Sequence, residues 1–191
     1  MNQDKLSQMI RPALVSFLIF TVICGVLYTV LITGIAQAIF PYGANGSIIK
    51  IEQNGKTQVY GSEYLGQVFT EPQYLIGRPT TESGGPTNLS AVSSEQKVLV
   101  EQSISDWHAL DPGNARLIPM DLVTVSGSGV DPDISVAGAQ YQVERIARIR
   151  NRSVADIQKI IDENTTLPVL GFLGQPVVNV LKVNISLDAL K

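Results

Sequence analysis

Ser126-Gly-Ser-Gly129, placed between the apolar run Leu122-Val-Thr-Val125 and a helical pattern, is the stretch whose residue types best suit chemistry. A strand, a Gly-Ser-Gly loop and a helix is how many phosphate-binding loops begin, because backbone N–H groups at a helix N-terminus attract anions. The neighbouring residues argue against that use. Gly127 and Gly129 match the first half of G-x-G-x-x-G, but Pro132 takes the third glycine position and the loop carries no Walker-type lysine. Asp131 and Asp133 place negative charge where a phosphate would sit. The glycines are read instead as a tight turn, and Asp131-Pro-Asp133 as the acidic start of a helix, favourable by about 0.3 to 1 kcal/mol. On this reading, valine at either Gly127 or Gly129 lowers stability, since β-branched residues tolerate positive φ poorly. Two carboxylates fall well short of a calcium loop, so no metal is expected here.

Little else in the chain offers catalytic groups. His108 is the only histidine and Cys24 the only cysteine, which excludes a histidine-cluster metal site, an intramolecular disulfide and a cysteine-built zinc site. His108 follows Trp107 in a helical pattern and is read as structural or solvent-facing. An anchored hydrolase would need a base that this single histidine scarcely supplies. Lys and Arg number 14 against 17 Asp and Glu, and no basic run is interleaved with aromatics, so nucleic acid is not expected as a partner.

The elements that must position these residues begin with a membrane segment. From Ala13 to Phe40 no residue is charged, and most are Leu, Ile, Val, Phe or Ala. A bilayer core needs about 20 helical residues, so this run spans with some to spare. Lys5 and Arg11 precede it, and no Lys or Arg follows until Lys50, which by the positive-inside rule puts residues 1–12 in the cytoplasm and residues 41–191 outside. A cleaved leader is the alternative, since Ala36-Gln37-Ala38 fits the small-residue cleavage pattern, but leader cores run only about 7 to 15 residues. Thr21, Gly25, Thr29, Thr33 and Gln37 recur at every fourth position and line small and polar groups along one ridge, the kind that lets another membrane helix approach closely.

Outside the span, Pro41 to Gly46 is turn-rich, and two strand-like runs flank Asn54-Gly55, the strongest short hairpin signal. Gly77 to Ser94 reads as a long loop, and Ser94 to about Leu110 as a helix stopped by Asp111-Pro-Gly113. Leu122 to Val125 reads as a short strand. Ser135 caps a helix whose apolar stripe is Val136, Ala139, Val143, Ile146 and Ala147, with Glu144, Arg145, Arg148 and Arg150 mostly off it. Ser153 to Asp156 opens a second helix that runs to about Asn164, and Pro168 and Gly171 end the helical region. Val177, Leu181, Val183, Ile185 and Leu187 alternate as a half-buried strand should. The sum is a mixed α/β extracytoplasmic domain, residues 41–191, tethered by one N-terminal transmembrane helix, residues 13–40.

Several motifs together resemble a known family: Gly61-Ser-Glu-Tyr-Leu-Gly-Gln-Val-Phe69, Tyr74-Leu-Ile-Gly-Arg-Pro-Thr80, Ser83-Gly-Gly85 with Asn88-Leu89, Asp121 to Pro132, Tyr141-Gln-Val with Arg145-Ile-Ala, and Gly174-Gln-Pro-Val-Val-Asn-Val-Leu181. In this order, over nearly the whole chain, they are similar to the C chain of the Kdp-type potassium-transporting ATPase. The resemblance implies a non-catalytic subunit on the cell membrane. Its implied partners are an A chain that conducts potassium, a B chain that is the P-type ATPase, a small F chain, and membrane lipid. No cofactor is implied, except that family members have been proposed to touch ATP through the loop matching Ser126, Gly127, Ser128 and Gly129, and so to raise the pump's ATP affinity. The residues agree with an accessory role, since neither an Asp-Lys-Thr-Gly-Thr phosphorylation motif nor a Thr-Val-Gly-Tyr-Gly filter occurs. A membrane-tethered extracytoplasmic binding or sensor module is the alternative.

Overall fold

The computed structural model describes residues 3–53, 55–81 and 83–190. The chain divides into two compact units, Met1–Ile48 and Ile49–Lys191.

The first unit is a continuous helix made of α1 (Gln3–Phe20), a π-helical segment (Thr21–Leu27) and α2 (Tyr28–Ile39). Within it Met9–Ile39, 31 residues of mean hydropathy 2.5, is the one helix among the described residues long and apolar enough to cross a membrane. Its large apolar side chains, from Met9 to Phe40, are exposed around the helix, as a surrounding lipid phase would require. The expected turn after the span is a short helix, α3 (Pro41–Ala44), with proline at its start where the missing N–H costs nothing. The Gln37 amide exchanges hydrogen bonds with Asn45 at 3.3 and 3.0 Å and ties the end of α2 to this turn.

The second unit opens with β1 (Ile48–Gln53) and β2 (Lys56–Ser62), which form a two-stranded sheet. Gly55 takes a φ of +72° at the turn, while Asn54 lies outside the described residues. The expected long loop follows, and then α4 (Ser94–Leu110), whose Ser93 cap accepts a hydrogen bond from the Gln96 N–H.

A three-stranded antiparallel sheet, in the order β3-β5-β4, forms the centre from β3 (Asp133–Ser135), β4 (Thr165–Thr166) and β5 (Val177–Asn179). Ile134 stands opposite Val178, and both are buried. Three helices complete the core: α5 (Val136–Arg150), α6 (Val154–Glu163) and α7 (Val180–Asp188), each started by a side-chain cap from Ser135, Ser153 or Asn179. The α5 stripe of Ala139, Val143, Ile146 and Ala147 is buried against Ile157 and Ile161 of α6 and the rest of the core. The mixed α/β class is therefore as the sequence pattern indicates.

Three local expectations are corrected. Leu122–Val125 is not a strand; Met120–Leu122 is a 3-10 turn, pinned because the Trp107 indole N–H donates to the Leu122 carbonyl at 2.8 Å. The alternating run from Val177 to Leu187 is a strand only as far as Asn179, where the Asn179 side chain accepts from the Lys182 N–H and starts α7. Val180, Leu181, Asn184 and Leu187 then share one buried helical face, which the polar Asn184 conceals from a hydropathy reading. Arg145 lies inside the core with no exposure at all, rather than off the stripe.

Candidate functional site

Residues from several of these motifs meet in two structures within the second unit. The first is a clasp around the loop Ser126–Gly129. Ser126 is buried, and its hydroxyl accepts the Gly129 N–H at 2.8 Å, while Ser128 Oγ accepts the Val130 N–H at 3.2 Å. Arg78 reaches over the loop and donates to the Thr124 and Val125 carbonyls at 3.3 to 3.4 Å, and its Nη1 lies 3.4 Å from Asp131 Oδ2. Gly129 has φ +75°, and a Cβ built there would lie 2.2 Å from the Gly85 carbonyl carbon. The two glycine loops thus touch backbone to backbone. Gly85 itself is held through its N–H and carbonyl by the Thr81 hydroxyl, at 3.0 and 2.7 Å. Gly66 closes the other side, donating to the Val130 carbonyl at 2.7 Å.

Gly129 and Val130 point their N–H groups at serine hydroxyls of the same loop, and the one arginine at hand is committed to loop carbonyls and to Asp131. Asp131 also accepts the Asp133 N–H. Burial pushes the Asp133 carboxyl above the usual carboxylate range, opposed by the amide hydrogen bond from Asn179 and raised further by Asp131. The arrangement turns the Gly129 and Val130 N–H groups inward onto the loop's own serine hydroxyls, as a structural turn does.

The second structure is a polar frame that seats Pro72 to Ile76 on the core without a sheet. Gln142 and Asn184 are buried, and their amides act as strand edges. Asn184 accepts from the Leu75 N–H at 2.8 Å and donates to the Leu75 carbonyl at 2.9 Å. Gln142 accepts from the Ile76 N–H at 2.8 Å and donates to the Ile76 carbonyl at 2.9 Å. Arg145 donates to the Pro72 carbonyl, the Tyr74 carbonyl and Gln142 Oε1, and its guanidinium lies 5.9 Å from the Trp107 ring centre. Burial lowers its pKa to about 10, so it remains charged at neutral pH. Sequence reasoning quoted Tyr141-Gln-Val and Arg145 as motif residues but gave them no role. In sequence Arg145 lies off the α5 stripe, so the hydrophobic pattern carries no signal of its burial.

In the first unit, the ridge residues keep helical geometry but not one uniform phase. The π-helical segment runs from Thr21 to Leu27 and therefore carries Gly25. A strict fourth-residue row drifts about 40° per step in an α-helix, whereas the wider π turn makes the same step fall short of a full circle. The segment thus offsets part of the drift between Thr21 and Thr33. The Thr21 hydroxyl donates to the Phe17 carbonyl at 2.8 Å, and that of Thr29 to the Cys24 carbonyl at 3.5 Å, so both are engaged within their own helix. A Cβ added at Gly25 would meet only the Thr21 methyl, at 4.0 Å. Gln37, the last residue of the row, is occupied by Asn45.

Residues 10–189 match the family model described as KdpC, the c chain of K+-transporting ATPase. The chain belongs to this family. It is 54% identical over 188 residues to the potassium-transporting ATPase KdpC subunit of Listeria innocua, covering 98% of each chain. The KdpC subunit of Clostridium perfringens is 45% identical over 198 residues, covering 96% of this chain and 98% of that one. Membership makes the chain a subunit of a potassium-transporting ATPase with an accessory role in potassium uptake. In this KdpC chain, Gly66, Arg78, Gly85, Ser126, Gly129, Gln142 and Arg145 serve the clasp and the polar frame by close backbone approach or by bonds to backbone groups.

Proposed function

We propose that this chain supports the assembly and activity of a P-type potassium pump as a subunit without catalytic residues of its own, docked to the A, B and F chains of the Kdp complex. The near-full-length match to KdpC subunits carries the reading. Thr21, Gly25, Thr29 and Thr33 form the face that meets another membrane helix. Because the space above Gly25 is open within this chain, a bulky residue there collides only with something outside it. Gly25→Ile is expected to reduce co-purification of the complex severalfold, and Leu27→Ile on another face to leave it unchanged. Thr29→Val does little, because its hydroxyl is already bonded within its helix and interhelical hydrogen bonds average only about 0.6 kcal/mol. Assembly of Gly25→Ile at the wild-type level would reduce the span to an anchor.

The N-terminus is cytoplasmic and the larger unit lies outside, on the strength of Lys5 and Arg11 ahead of the uncharged run Ala13–Phe40 and no Lys or Arg after it until Lys50. A reporter active only in the cytoplasm is expected to work when fused before Met1 and to fail after Lys191; the reverse pattern would overturn this orientation. Any influence on the pump's ATP affinity then acts through differential contact with pump conformations rather than through nucleotide held at Ser126–Gly129.

A further inference from the structure

A cavity of about 320 Å³ lies between α4 and the segments 67–70 and 76–80 of the second unit. Its volume falls at the lower end of the range of small-molecule sites, about 300 to 1,000 Å³. Phe69, Ile76, Leu110 and Leu122 give it apolar walls, and Trp107, the only tryptophan of the chain, lines it as well. Thr70 and Thr80, both exposed, add hydroxyls to the lining. Such a lining suits a ligand with an apolar body and a polar end.

Charge narrows the class. Among the described residues, two that line the cavity are charged, Arg78 and Asp106. Arg78 pairs with Asp131 at 3.4 Å and donates to the Thr124 and Val125 carbonyls, so its charge is already met. Asp106 is exposed, accepts the neutral Gln102 side-chain N–H at 2.8 Å, and belongs to none of the ion pairs among the described residues. The unbalanced charge of the lining is therefore negative, and it favours a cation. A bare metal ion would gain little, because no group of three acidic, histidine or cysteine ligands occurs among the described residues and apolar walls offer it no oxygen. An organic ammonium uses both features of the cavity, and aromatic rings such as those of Phe69 and Trp107 attract cations to their faces. A larger hollow of about 580 Å³, lined in part by Leu89, Val100 and Met120, has no charged residue to make the same selection.

We propose that this cavity binds a small organic ammonium compound, with its apolar body against the walls and its charge at Asp106. The proposal goes beyond the subunit reading and does not depend on it. Because Asp106 is exposed, its charge sets selectivity more than affinity: an ion pair there is expected to favour a cation about three- to fivefold over its neutral analogue.

The test uses the full chain reconstituted into phosphatidylcholine vesicles and reads the emission of Trp107, which no second tryptophan obscures. The probe is 2-phenylethylammonium, compared with the neutral 2-phenylethanol and the anionic 3-phenylpropanoate. The ammonium is expected to give a saturable change at a concentration about three- to fivefold lower than the alcohol, and the carboxylate to bind weakest. Asp106→Asn is expected to bring the ammonium to the level of the alcohol and to leave the alcohol unchanged. Ser103 also lines the cavity and its hydroxyl donates to the Leu99 carbonyl of its own helix, so Ser103→Phe narrows the cavity without breaking a bond to another element and is expected to abolish the response to all three. No saturable change in the wild type, an ammonium bound no tighter than the alcohol, an Asp106→Asn variant that keeps the preference, or an intact response in Ser103→Phe would each overturn the proposal. So would a response that disappears when the other subunits are reconstituted too, since a partner's residue would then fill the cavity.

Discussion

Replacing Arg145 by leucine is expected to destabilise the second unit by about 3 kcal/mol, seen as a fall of about 10 °C in its melting temperature. Two effects oppose each other at this residue. Burying a guanidinium is costly, as its lowered pKa and its unpartnered Nε show, and leucine removes that cost. Exchange of a buried ion pair for apolar residues is often neutral because both charges go together. Here the partners are the backbone carbonyls of Pro72 and Tyr74 and the Gln142 amide oxygen, and no side-chain substitution removes the carbonyls. The Tyr74 carbonyl is on a half-buried residue and Pro72 on an exposed one, so each acceptor left without a donor where water does not reach costs about 1 to 3 kcal/mol. The unsatisfied acceptors outweigh the saved desolvation. Arg145→Lys recovers only part of the loss, since one ammonium cannot fork across three acceptors. Unfolding of Arg145→Leu within about 1 kcal/mol of wild type would mean that water already reaches those carbonyls.

How much of this was legible beforehand differs by element. The long helices were readable because period, cap and stop signals agree: Ser93, Ser135 and Ser153 each cap the helix whose stripe follows. The membrane span was readable from composition alone. The run from Val177 onward misled because Val177, Leu181, Val183, Ile185 and Leu187 satisfy a strand period, while the decisive residue, Asn179, acts through one cap hydrogen bond. Leu122 misled for a different reason: its burial follows from Trp107, fifteen residues earlier, and local pattern carries no trace of that contact.

The clasp and the polar frame were the least legible, because they are made of long-range pairings between side chains and backbone. Asn184 lies 109 residues from Leu75, and Gln142 lies 66 residues from Ile76. Tyr74 to Ile76 has the composition of a strand but no strand beside it, and two amides stand in for the missing neighbour. Sequence can flag polar residues on an apolar face as unusual; only the fold says which carbonyls they serve.

The loop Ser126–Gly129 gives the sharpest separation between a structural turn and a ligand site. Gly129→Val is expected to lower stability by about 3 kcal/mol or more, because two penalties act together. A valine at φ +75° is strained whatever the space around it, and its Cβ would sit 2.2 Å from the Gly85 carbonyl carbon. Neither loop can retreat easily: Gly85 is held by Thr81, and Ser126–Gly129 by its own hydroxyl bonds and by Arg78. Gly127 differs, although sequence alone puts both glycines on an equal footing. It is exposed, lacks a positive φ, and a Cβ there would meet nothing within 4 Å. Gly127→Val is therefore expected to change stability by about 0.5 kcal/mol or less. A nucleotide cradle would reverse the emphasis, since Gly127 is the open position where a ligand would approach and a valine would obstruct it. Denaturant unfolding and ATP calorimetry on both full-length variants in detergent separate the two roles. A large stability loss confined to Gly129→Val, with no saturable ATP binding by the wild type, is the expected pair of results. Micromolar ATP binding that Gly127→Val abolishes at unchanged stability would return the loop to nucleotide chemistry.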